Sequence, residues 1–317
     1  MSQATLSFQT SAISASPKTN LEHEHNDRIT MIDHEIERGL RCLGAREDRA
    51  STNVSYAKRV NRFKGCFGVH PITFRRLWTQ LNDFNIDKER NIDRFFLCLF
   101  WLKNYPTEAV LAVQFNLLED TVRLWIWYYA RCLEILSESV IRMPDSFDQR
   151  IHFPLAVDGT HCTIYEPMHD LYPMDRSYFS HKHHTAGLNY QVTVSTTEAR
   201  ILSIHGPYPA GRNDMNMFHD SGLKDFLVSQ NKRAIADGGY SGPGTAVPNR
   251  KYHAKTTNIY FRRNRARMER VMGFLKNFKI LSETFRVRKD REVRHRTCFF
   301  AVGAIAAHQV EQSLFHC

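Results

Sequence analysis

The sequence predicts an α/β protein in two parts, an all-α region followed by a mixed sheet flanked by helices. Three observations carry this. Between residues 70 and 142 the apolar side chains recur at helical spacing. Beyond Phe153 the apolar runs shorten and become rich in β-branched residues. Those later runs alternate with helical patterns, as strands and helices do in a layered α/β domain.

Taken in order, residues 1–50 lack a hydrophobic period and carry Ser, Thr, Asn and His, so they read as a disordered tail. The helical region spans 55–143. Pro71 starts a helix with Phe74, Leu77, Trp78 and Leu81 as its apolar stripe. A second helix runs from Asp93 to about Tyr105 and stops at Pro106. Thr107 opens a short helix, a turn follows at Asn116 to Leu118, and a long helix starts at Glu119. Short helix, turn and long helix resemble a helix-turn-helix. The long helix, TVRLWIWYYARCLEIL, is more apolar and aromatic than a DNA-reading helix, so a bundle packed on the next region is an equal reading. A linker at 144–153 leads to the second region, 150–317. It holds LAV before Asp158, then TIY, YQVTVST and RILSIHG as strands. A helical pattern from Asp214 to Ser229 follows, interrupted at Ser221-Gly222, then the strand RAIAD and a late helix around RARMERVMGFLK. Three strands, a helix, a strand and a helix is the order of an RNase H-like fold.

Composition narrows the function. The 317 residues carry a formal net charge of +10, with pI near 9.3, which points to an anionic partner, nucleic acid first. At 42% hydrophobic the chain is too apolar to be disordered throughout. No run approaches the roughly 18 apolar residues of a membrane span; Cys298 to Ala307 is the longest late candidate and ends at His308. Seven scattered cysteines without a CxxC pair argue against a disulfide framework. The polar N-terminus lacks the apolar core of a secretory signal, so an intracellular protein is expected.

Four acids stand where chemistry would need them. Asp158 follows a strand start and precedes Gly159; Asp237 ends the fourth strand and precedes two glycines. Glu269 lies on a helix whose apolar face is Met268, Val271, Met272 and Leu275, with Lys276 two turns along on the Glu269 face. Asp214 begins the helix before the fourth strand, where helix capping is its competing explanation. Clustered carboxylates suit Mg²⁺ or Mn²⁺, and two such ions can activate water and stabilise the leaving oxygen in phosphodiester cleavage. From Arg250 to Arg296 there are 16 Lys/Arg against 4 Asp/Glu. Arg265, Arg270, Lys276 and Lys279 flank Glu269 and are the expected phosphate contacts. His181, His183 and His184, with Lys182 between, read as a basic loop touching phosphate or as plain solvent-exposed surface; no further ligand supports a zinc site.

The blocks LAVDGTHCTIYEP, GPYPAGRNDMNMFHDSGL, IADGGY and RARMERVMGFLK come in the order seen in DDE-superfamily endonucleases and most resemble the Harbinger-type transposases. The resemblance covers about 150–310. It implies metal-ligand roles for Asp158 and Glu269, with Asp214 or Asp237 as the middle acid; fold topology favours Asp237. Ala210 stands where that family usually has Gly, and Gly238 where Lys is common. Also implied are DNA as partner, strand transfer by the freed 3′-hydroxyl, a Myb-like DNA-binding accessory protein, a homo-oligomer when active, and a nuclear location. The alternative is a domesticated, transposase-derived DNA-binding protein without turnover.

Overall fold

The computed structural model describes residues 32–44, 54–166, 175–198, 200–248 and 255–313. Most of the expected tail lies outside them. Within the described part, 32–42 forms a helix, α1. Ile32 and Ile36 are buried one turn apart, and Arg38 bonds Asp93 (2.7 Å) while Arg75 bonds Glu35 (3.0 Å). The apolar positions are too sparse among charges to stand out in the sequence; cross-helix ion pairs complete the packing.

The helical region contains α2 (Tyr56–Phe67), α3 (Pro71–Asp83), α4 (Ile92–Asn104), α5 (Glu108–Phe115) and α6 (Glu119–Val140). Local chemistry sets the ends. His70, Asn91 and Thr107 accept backbone N–H groups as N-caps of α3, α4 and α5. Asn116 closes α5 in the left-handed conformation, φ 51°. Phe74 stacks on Phe96 at 4.3 Å between centroids, inside a core that includes Phe63, Phe67 and Phe95. On α6, Trp125 and Tyr129 stack, Trp127 meets Trp101, and Tyr129 donates to Asp87 (3.0 Å). The aromatic run therefore packs. The exposed start of α6 carries Glu119 and Asp120, and Arg123 there is engaged by Glu108 and Asp120.

The second region is α/β, as expected: a six-stranded mixed sheet flanked by helices. Its strands are β1 (Leu155–Thr163), β2 (Phe179–Ser180), β3 (Thr185–Ser195), β4 (Ile201–Pro209), β5 (Ala234–Ile235) and β6 (Thr245–Ala246). β3 lies antiparallel between β1 and β4, while β1, β5 and β6 run parallel. With the short β2 set aside, the order β4-β3-β1-β5-β6 is that of an RNase H-like sheet. Helices α7 (Asp214–Asp220) and α8 (Leu223–Ser229) pack on one face through Phe218, Leu223 and Leu227 against Leu155 and Val157. Gly222, with φ 72°, divides them. Opposite are α9 (Lys255–Lys276), α10 (Lys279–Ser282) and α11 (Arg291–Ser313).

The late apolar run is the middle of α11. It is buried on all sides because α11 is wedged between α6 and the sheet: Phe299 stacks on Tyr190 at 3.8 Å, and Glu134 of α6 accepts bonds from Arg296 and Thr297. One hydrophobic cluster consequently joins the helical region to the sheet, from Ile32 to Ala306. Among the described residues no helix is long and apolar enough to cross a membrane.

Candidate active site

The alternation of β1 sorts its side chains. Leu155 and Val157 belong to the α7–α8 cluster, and Ala156 and Cys162 to the opposite one. Asp158 is in phase with Ala156 and so faces α9. The chain leaves β5 at Asp237, one strand over, and Asp237 caps the 3₁₀ turn Gly238–Tyr240 by accepting from Gly239 N–H (2.9 Å). Helix α9 lies across β1 and β5, with Met268, Val271 and Leu275 buried beneath it. Asp158, Asp237, Glu269 and Arg265 accordingly line one cleft of about 20 Å³, closed below by Ala156, Ile235 and Met268. That volume admits about one water or a small cation.

Asp214 joins from the α7 side. The N-cap of α7 is Asn213, whose side chain accepts from Asn216 N–H (2.8 Å). Asp214 is thus relieved of the capping role that competed with a functional one. Its carboxylate lies against two glycines of the motif blocks. A Cβ on Gly159 would stand 3.1 Å from Asp214 Oδ1; one on Gly239 would run into Asp214 Oδ2 and come within 3.2 Å of Asp237 Oδ1. The glycines of DGT and DGGY make room for these carboxylates.

The electrostatics match the crowding. Burial pushes the Asp158 carboxyl up, and the facing Asp237 and Asp214 push it further, to about 6, against the pull of Gly159 N–H and Lys182. Asp214 is also raised, by burial first and then by Asp237. Tyr240, fully buried below them, is raised by burial and by Asp214, Asp158 and Asp237, and its hydroxyl finds no hydrogen-bond partner. Hard oxygen donors, uncompensated negative charge and an unpaired hydroxyl beside them fit a divalent cation. Among the described residues no three His, Cys, Asp or Glu side chains converge closely enough to share one ion as they stand. Mutual repulsion of like charges opposes closer approach.

The basic residues separate into different places. Arg265 lies in the cleft, and Arg262, Arg263 and Arg270 are exposed along α9. Lys276 turns inward instead. Its ammonium donates to His161 O, to Leu281 O (2.8 Å) and to Cys162 Sγ (3.2 Å), which fastens α9 to β1. Lys279 pairs with Glu283 at 3.4 Å on α10. The histidine beside the first motif, His161, is held by Asn189 and Thr185, and burial and His183 lower it to about 4. Tyr240, a neighbour of the site, was legible in the sequence only as part of DGGY, and Lys182 only as part of the basic histidine loop.

Comparison with known proteins agrees with this region. Residues 157–306 match the family model of the DDE superfamily endonuclease. The chain is 29% identical over 137 residues to a Streptomyces albus G protein named as a transposase for insertion sequence element IS112. That similarity covers 41% of this chain and 50% of the relative, so the chain spans half the length of the protein it matches. No solved structure matches the chain.

Proposed function

We propose that the chain is a metal-dependent DNA endonuclease of transposase type, with Asp158, Asp237 and Glu269 as the catalytic carboxylates. One observation carries this: three acids distant in sequence line one cleft just past the point where the parallel strands β1 and β5 stop pairing. Asp214, packed on Gly159 and Gly239, is a fourth donor to the same centre. We retain Asp237 as the middle acid because it shares the cleft with Asp158 and Glu269. A divalent cation, Mg²⁺ or Mn²⁺, would be held by these carboxylates and would supply charge stabilisation and water activation for phosphodiester cleavage, with two ions in the full form of that chemistry. The chain's own contribution is positional. Asp158 is fixed by its strand and by Gly159 N–H (2.8 Å). Glu269 is fixed by the apolar face of α9 and by the Lys276 tether. Arg265 brings positive charge to the cleft itself, with Arg262, Arg263 and Arg270 beside it on α9 to receive a phosphate backbone.

The finer reading is a Harbinger-type transposase of two modules, 55–143 and 150–317. It would act on DNA in the nucleus as a homo-oligomer, assisted by a Myb-like DNA-binding protein. The block order and the basic α9 segment support the first and the substrate; location and partners rest on the resemblance. Calorimetric titration of Mn²⁺ tests the centre. Binding by wild type that is lost in Asp158→Asn and weakened in Glu269→Gln is expected; no binding by wild type, or binding unchanged in both, would remove the metal from the account.

A further inference from the structure

The turn 181–184 between β2 and β3 is a built feature beside the cleft. Pairing of Ser180 with Thr185 sets its base, and His184 N–H donates to Ser180 O (2.8 Å) to close it. His183 N–H donates to the buried Ser180 hydroxyl (3.3 Å), and His184 takes φ 54°. The ring of His183 stacks on His161 at 4.5 Å and 15°. His161 is itself pinned between Asn189 Oδ1 (3.2 Å) and Thr185 Oγ1 (3.1 Å) over Gly187, where any Cβ would strike its ring. The segment entering the hairpin docks on the loop that leads to Asp214: Gly211 N–H donates to Ser177 O at 2.7 Å. The turn therefore stands against His161, three residues past Asp158 on β1, and beside the loop that leads to Asp214.

At its tip is Lys182, exposed and without an ion pair among the described residues. We infer that the 181–184 turn is a phosphate clamp, in which Lys182 grips a non-bridging oxygen of the DNA strand held at the carboxylate cleft. The stacked His161 and His183 are both pushed towards the neutral form, by burial first. They act as a rigid prop, and Lys182 carries the charge. A backbone gripped by Lys182 at the turn and by Arg265 and its neighbours on α9 would pass over the carboxylates.

The clamp rests on the nuclease reading, and binding measured without cutting separates the two. Affinity for a short fluorescein-labelled duplex is followed by anisotropy in EDTA between about 50 and 200 mM KCl. The variants are Lys182→Ala, Lys182→Arg and Lys58→Ala, the last removing the same charge from exposed α2. One lost phosphate contact makes the slope of log K against log salt shallower by about 0.9. That change in Lys182→Ala, with wild-type slopes in Lys182→Arg and Lys58→Ala, is the expected result. A wild-type slope in Lys182→Ala, or equal flattening in Lys182→Ala and Lys58→Ala, overturns the clamp and leaves DNA binding standing. Absence of salt-dependent binding by wild type overturns the nucleic-acid reading and the clamp with it.

Discussion

Replacing Asp158 with asparagine will stabilise the metal-free protein at neutral pH while abolishing its function. The carboxyl is raised from 3.8 to about 6 in the fold. Between those values the folded state holds the proton more tightly than the unfolded chain, so stability falls as pH rises through this window and levels off above it. A shift of that size makes ionised Asp158 cost about 3 kcal/mol at pH near 7.5 and about 1 kcal/mol at pH near 4.5. Asparagine keeps the shape and removes the charge. For a chain of this size the gain in Tm is roughly 6 °C at the higher pH and roughly 2 °C at the lower. Thermal unfolding followed by circular dichroism in EDTA at the two pH values measures both. Saturating Mn²⁺ then raises the wild type, by about 2.7 kcal/mol at a hundredfold excess over Kd, and leaves the variant where it was. A variant no more stable than wild type at neutral pH, or a gap independent of pH, would show that Asp158 is not in a crowded anionic centre.

Other substitutions probe the remaining parts. Gly239→Ala drives a methyl into Asp214 and Asp237 and should cut nicking by about 10²-fold, the usual cost of a misplacement near 1 Å. Gly238→Ala next door meets open space and should nick as wild type does; equal activities in steady-state assays would show that the cradle does not matter. Tyr240→Phe removes a buried hydroxyl without a partner and should stabilise the metal-free protein by about 1 kcal/mol in urea melts; a loss of that size would mean the hydroxyl is bonded. Lys276→Met breaks the tether to His161 O and Leu281 O and should cost about 2 kcal/mol of stability with an unchanged salt slope for DNA. Arg265→Ala should show the reverse, a slope shallower by about 0.9 at full stability; the opposite pattern in this pair would return Lys276 to the DNA surface.

What was legible in the sequence is what local chemistry decides. Pro71, Thr107 and Asn116 mark helix ends through capping and backbone preference, and each does so in the fold. Asp158 and Asp237 stand out because an acid after a strand and before glycine breaks an apolar pattern. Their meeting with Glu269 could be expected only through strand order and resemblance, since nothing local joins residues so distant. What was hidden depends on partners far along the chain. α1 is held by Asp93 and Arg75, which its own sequence does not reveal. The run from Cys298 to Ala307 is apolar because α6 and the sheet both cover it, and periodicity cannot name two partners. Lys276 and Lys182 look alike on paper; one is turned into the fold by three acceptors and the other is left exposed on its turn.

The central claim is that the gathered carboxylates cut DNA with a divalent cation. Its most direct test is nicking of supercoiled plasmid by wild type, Asp158→Asn, Asp237→Asn and Glu269→Gln, each with Mg²⁺, Mn²⁺ or chelator. Nicking by wild type that requires the cation and disappears in all three variants is predicted. Wild type that binds the plasmid yet leaves it supercoiled with either cation, or nicking that survives loss of these carboxylates, would contradict the claim.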